Sequence, residues 1–134
     1  MPLRIALKPL ERLIINGASI LNSDRPSAFL VETQCKLLRG SDIISQDDLD
    51  TDCKKLCFLL QDIYLIDNPQ DKIQMFYEFA RRIMMSDIET VPYLLKIQNE
   101  VQSGQFYKAI KYGQELLAYE QGCLDRDFLR RSVK

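Results

Sequence analysis

Leu13-Ile14-Ile15-Asn16-Gly17-Ala18-Ser19-Ile20-Leu21 decides how the front of this chain folds. Two short apolar runs flank Asn16-Gly17, and a two-residue type I′ turn needs positive φ at both central positions. Asn and Gly tolerate that conformation best, so the stretch predicts a tight antiparallel hairpin. Upstream, Leu3, Ile5 and Leu7 alternate with Arg4, Ala6 and Lys8, the period of a strand with one buried face. Pro9 ends that strand. Downstream, Asn22-Ser23-Asp24-Arg25-Pro26 is a second turn cluster. Ala28-Phe29-Leu30-Val31 makes another strand, with Phe29 a core residue, and Gln34 to Leu38 offers a last one before Arg39-Gly40-Ser41 breaks it.

Behind residue 45 the period changes from two to that of a helix. Ser45, with Asp48 three residues on, has the form of a capping box. Leu49, Cys53, Leu56, Leu60 and Ile63 recur at helical spacing. Asn68 is read as the cap of a second helix with Pro69 in its first turn. That helix carries Ile73, Phe76, Tyr77, Ala80, Ile83 and Met84 on one face. A third helix is expected over about 89–103, beginning near Pro92, and Gly104 separates it from a fourth that bears Phe106, Ala109, Ile110, Leu116 and Leu117. Gly113 is a small residue suited to a close helix crossing. The fold class is therefore α+β: a small antiparallel β-sheet module over residues 1–45, then an antiparallel bundle of about four helices over 46–124. A charged tail over 125–134 is expected to fray. A forty-residue β module is too small to stand alone, so its apolar face should be covered by the helices or by a second copy.

Charge and chemistry narrow what such a protein does. The net charge is −1, so no bulk attraction to nucleic acid or an anionic membrane is expected. Residues 1–45 nonetheless hold six Lys or Arg against four acids, and the rest holds twelve against fifteen. With 134 residues and no histidine, the chain lacks Ser-His-Asp and Cys-His catalysis and the usual catalytic zinc sites. Neither phosphate-binding glycine pattern, GxxxxGK[ST] or GxGxxG, occurs. Cys53 and Cys57, one helical turn apart, are read as core filling. The acidic run Asp47 to Asp52 lacks the central glycine and final glutamate of a calcium loop, and acids at a helix start need no ion to explain them. No metal, no cofactor and no enzymatic activity are expected. The irregular cysteines and the lack of a leader or a membrane-length apolar run point to reduced thiols in the cytoplasm.

The order of residues carries more. Met1-Pro2-Leu3-Arg4-Ile5-Ala6-Leu7-Lys8-Pro9-Leu10-Glu11-Arg12 runs into the Asn16-Gly17 hairpin. It continues through Asn22-Ser23-Asp24-Arg25 and Phe29-Leu30-Val31-Glu32 to Leu38-Arg39-Gly40-Ser41-Asp42-Ile43. This resembles the FlbT family of flagellar post-transcriptional regulators of alphaproteobacteria. The later Asp50-Thr51-Asp52-Cys53-Lys54-Lys55-Leu56-Cys57-Phe58 fits the same pattern. Members typically carry a glycine after Lys-Pro, in a Lys-Pro-Gly-Glu-Arg turn. Here Leu10 stands in its place, and leucine disfavours positive φ. The resemblance implies a regulator that associates with the 5′ untranslated region of flagellin messenger RNA and represses translation or promotes decay. It also implies a small companion regulator, FlaF, as a partner. At the matching positions Lys8, Arg12, Asn16, Arg25 and Arg39 are the candidate RNA contacts, the cations for phosphates and Asn16 for a base or for the hairpin. The competing reading is a protein–protein adaptor whose helical part grips the companion, flagellin or a second copy, with RNA affected indirectly. That reading fits the near-neutral charge and the scarcity of aromatics on the β front.

Overall fold

The computed structural model describes residues 2–132 of the chain, with side chains through residue 130. The chain divides into two compact units, Met1–Ile43 and Ile44–Lys134. The first unit holds β1 (Leu3–Leu7), β2 (Arg12–Ile15), β3 (Ala18–Leu21), β4 (Ser27–Val31) and β5 (Leu37–Arg39), closed by a 3-10 turn over Gly40–Asp42. The second holds α1 (Asp52–Leu65), α2 (Gln70–Ser86), α3 (Val91–Gln102) and α4 (Phe106–Ser132), with short 3-10 turns ahead of α1 and α3. The α+β class read from the sequence is the observed one.

The hairpin forms where Asn16-Gly17 puts it. Asn16 has φ 48° and Gly17 φ 86°, and Ile15 faces Ala18 across the turn. The five strands do not make one sheet. β1 pairs antiparallel with β4 alone, while β2 lies between β3 and β5. Ile5, Leu7 and Leu13 form the buried nucleus of the unit, with Ile15, Phe29, Val31 and Leu37 packed against it. β1 buries Ile5 and Leu7 in alternation, as its pattern predicts, but leaves Leu3, the first residue of the same face, exposed. β3 is exposed along its whole length, so the hairpin presents Arg12, Ile14, Ser19 and Leu21 on one open face.

In the helical unit, α3 and α4 pack together, as do α1 and α4, and α1 and α2. Leu56, Leu60, Ile63, Phe76, Ala80, Leu94, Ile97 and Leu116 are the fully or almost fully buried centre. Each of the leucine, isoleucine and phenylalanine side chains among them stabilises the fold by about 1.5–3 kcal/mol when removed from water. Gly113 lets α4 approach α1: a Cβ there would lie 3.1 Å from Cys57 Sγ and 3.4 Å from Leu60 Cδ1.

Three helix boundaries differ from the sequence reading. Ser45 caps only a 3-10 turn, accepting from the Asp47 amide, and α1 starts later under a Thr51 cap that accepts from Lys54 N. Thr51 also donates its hydroxyl to Glu120 of α4 at 2.8 Å, a partner invisible to a local capping pattern. Asn68 is not the cap of α2; Pro69 occupies that position, without a side-chain bond, and its carbonyl accepts from Ile73 N at 2.8 Å. Proline's fixed φ suits the helix start and supplants the asparagine. α4 runs 27 residues, past Gly122 and through the charged stretch to Ser132. A single glycine costs a helix only about 1 kcal/mol, and the turns around it carry good helix formers. Among the described residues no helix is long and apolar enough to cross a membrane.

Candidate nucleic-acid interface

The turn after β1 organises the cationic side of the β unit. Pro9 stops the strand, and Leu10 then takes φ 61°, the left-handed conformation that a glycine adopts without cost. The leucine side chain is 65% exposed, so packing does little to hold it there. Hydrogen bonds do more: Leu10 N donates to Ser23 O at 2.8 Å, Glu11 N to Lys8 O at 3.1 Å and Asn22 N to Glu11 O at 3.0 Å.

Asn22 is the hub of this corner. It is buried, and its Nδ2 donates to Lys8 O at 2.7 Å and to Arg25 O at 2.9 Å. Its Oδ1 accepts from Ser27 Oγ at 2.7 Å. One amide nitrogen thus holds the backbones of Lys8 and Arg25 side by side, so their exposed side chains leave from adjacent points. Glu11 is the second organiser. Its Oε1 accepts from Lys8 N at 2.9 Å, and its carboxylate meets Arg39 Nη2 at 3.3 Å. The Lys8 amide first, and then the Arg39 guanidinium, hold the Glu11 carboxyl below its ordinary range.

The five candidate residues therefore have different situations. Lys8, Arg12 and Arg25 are exposed near one corner, with Arg12 Nη1 steadied by Ser19 Oγ at 2.8 Å. Arg39 clamps the corner, donating to Glu11 and to the carbonyl of Ala6. Asn16 stands at the other end of β2. Its Oδ1 accepts from Lys36 N at 3.0 Å while its own amide donates to Lys36 O at 2.8 Å, which ties the hairpin tip to the approach of β5. Sequence reading passed over Glu11 and read Asn22 as a turn residue with no structural bonding role, though these two assemble the corner. Their only local signal is that each sits within a turn cluster.

Elsewhere the titratable groups are poor candidates for chemistry. Burial, and then Glu120, push the Cys53 thiol up to about 12, and burial pushes Cys57 up as well. Both stay protonated and unreactive at neutral pH. Among the described residues no group of three or more His, Cys, Asp or Glu side chains is arranged to hold a metal ion.

Comparison with known proteins adds to this geometry. No solved structure matches the chain. A "Probable flagellum biosynthesis repressor protein FlbT" of Rhodopseudomonas palustris is 32% identical over 130 residues, covering 94% of this chain and all of that one. The "Flagellum biosynthesis repressor protein FlbT" of Caulobacter vibrioides is 30% identical over 125 residues, covering 90% of this chain and 87% of that protein. A Bradyrhizobium diazoefficiens protein, "Probable flagellum biosynthesis repressor protein FlbT 1", is 29% identical over 122 residues. The model of the family described as flagellar protein FlbT matches residues 3–124, and over that span, from β1 into α4, this chain belongs to the FlbT family.

Proposed function

We propose that this chain regulates flagellum synthesis by binding, and that what it binds is the 5′ untranslated region of flagellin messenger RNA, whose translation it represses or whose decay it promotes. The relatives named as flagellum biosynthesis repressors support the regulatory role, because the match runs nearly end to end. The RNA step is carried by one observation: Lys8, Arg12 and Arg25 leave a hydrogen-bonded corner as exposed cations. Phosphates bind such groups with release of counterions, so affinity falls as salt rises. Arg39 and Asn16 act in this reading by fixing the corner and the hairpin tip.

A second reading is favoured by the far end of α4. Leu124, Phe128 and Leu129 are 47%, 71% and 60% exposed, apolar area that a protein partner would cover. The companion regulator FlaF, flagellin or a second copy would then be the direct target, and RNA would be reached through it. A gel shift of purified protein with a flagellin leader, with and without the companion, separates the two. Retardation of the leader by the protein alone supports direct binding. Retardation only when the companion is present supports the adaptor reading.

A further inference from the structure

The groove between α3 and α4 has a chemistry that neither reading above uses. Tyr93 of α3 and Tyr119 of α4 lie with ring centroids 5.1 Å apart and planes inclined at 31°. Together with Glu89, Pro92 and Lys96 they line an open cavity of about 450 Å³. Two carboxylates converge at its edge: the Tyr119 hydroxyl lies 3.0 Å from Asp87 Oδ2 and 3.1 Å from Glu89 Oε2. A phenol has one proton to donate. It serves one carboxylate, and the other then faces a lone pair. The Cys123 contact, then burial, and then the two carboxylates push the Tyr119 hydroxyl's pKa upward, so the phenol stays neutral.

The neighbouring charges leave this edge negative. Lys96 is paired with Glu115 at 3.8 Å and sits 5.4 Å above the Tyr112 ring. Arg126 remains a full cation that feels Glu89 while its Nη2 donates to Cys123 Sγ at 3.2 Å, so Asp87 and Glu89 exceed it by one negative charge. Asp87 Oδ1 accepts from Glu89 N at 3.1 Å. Glu89 is exposed, and Oε2 is its only carboxylate oxygen with a partner among the described residues. The groove thus combines aromatic faces, an uncompensated negative charge and a surplus of acceptors.

We infer that this α3–α4 groove is a docking site for an arginine side chain presented by a protein partner. A guanidinium is planar, stacks on tyrosine faces and carries several donors in a fixed fork. It would lie against the Tyr93 and Tyr119 rings and direct N–H groups to Glu89 and to whichever Asp87 oxygen the phenol leaves unserved. A phosphate would meet the opposite field here, so an RNA backbone is the wrong occupant for this face. The inference holds whether or not the β unit binds RNA.

The test is an NMR titration of the full chain, labelled on tyrosine rings, with the pentapeptide Gly-Ser-Arg-Ser-Gly and its Gly-Ser-Gln-Ser-Gly counterpart. The site predicts saturable shifts of the Tyr93 and Tyr119 rings with the arginine peptide alone. Glu89→Gln, an exposed change that leaves the helical core untouched, should weaken that binding about tenfold, the loss of one charge-assisted contact. Absence of ring shifts, equal shifts with the glutamine peptide, or full binding by Glu89→Gln would each overturn the assignment.

Discussion

Replacing Leu10 tests the turn on which the cationic corner depends. Leu10 holds φ 61°, and a residue with a Cβ in that region costs about 1–2 kcal/mol relative to right-handed backbone. Glycine removes that cost but adds about 0.5–1 kcal/mol of unfolded-state entropy. The side chain is 65% exposed, so its truncation also forfeits a modest amount of burial. Leu10→Ala forfeits the same burial and keeps the strain, which makes alanine the proper reference. The difference predicts Leu10→Gly to be more stable than Leu10→Ala by roughly 0.5–1 kcal/mol. In an ordinary exposed turn with negative φ the order is reversed, because glycine is the costlier residue there. The assay is urea unfolding of both variants by circular dichroism, with hydrogen exchange at the Ile5 and Leu13 amides to report the β unit separately. A midpoint shift at unchanged slope reads out stability. If Leu10→Ala proves as stable as Leu10→Gly, the left-handed turn is wrong, and so is the placement of Lys8 and Glu11 around it.

Three further outcomes follow from the packing and the charges. Asn22→Ala removes two donated bonds and one accepted bond from a buried hub. It should cost roughly 2 kcal/mol and loosen amide protection in the β unit while sparing α1–α4, checked by the same exchange measurement. Glu11 has its carboxyl pKa depressed below the ordinary 4.5 by the Lys8 amide and by Arg39. A depressed folded pKa contributes stability that is present above the unfolded value and lost as pH falls through the folded one. The stability advantage of the parent over Glu11→Gln should therefore be full above about pH 4.5 and shrink on further acidification, measured by urea midpoints across that range. Gly113→Ala places a methyl 3.1 Å from Cys57 Sγ and should destabilise the α1–α4 crossing by about 1 kcal/mol despite alanine's better helix propensity. In a Cys57→Ala background the same change should become neutral or stabilising, as thermal melts of the four variants would show.

The parts of the fold that local chemistry dictates could be read from the sequence. Asn16-Gly17 places the hairpin because so few residue pairs accept two positive φ angles, and the helical repeats of α1, α2 and α4 mark their buried faces. In α3 the repeat points to Leu94, Leu95 and Val101 as buried, whereas Leu95 is exposed and Ile97 fills the core instead. Gly113 was legible as a close crossing for the same reason: its position on the apolar face leaves no other use for a missing side chain. What escaped was set at a distance along the chain. The division of the strands into two sheets depends on β1 choosing β4 and β2 choosing β5, pairings separated by twenty residues or more. The start of α1 is fixed as much by Glu120 bonding Thr51 as by any capping pattern. At the candidate interface the cations could be picked out as residue types, but their roles could not. Arg39 is held by Glu11 and Asn16 by Lys36, whereas Lys8, Arg12 and Arg25 remain exposed. Asn22 looked like one more turn residue until its two Nδ2 bonds placed Lys8 beside Arg25.

The central claim is that the corner of the β unit holds the flagellin leader by its phosphates. The measurement that reaches it most directly is the salt dependence of leader binding by the parent chain and by the double variant Lys8→Ala, Arg25→Ala. The account predicts that affinity falls with salt, and that the double variant lowers the log–log slope by about 1.4, near 0.7 for each lost contact to single-stranded RNA. Binding that is insensitive to salt, or a slope unchanged by removing both cations, would contradict it.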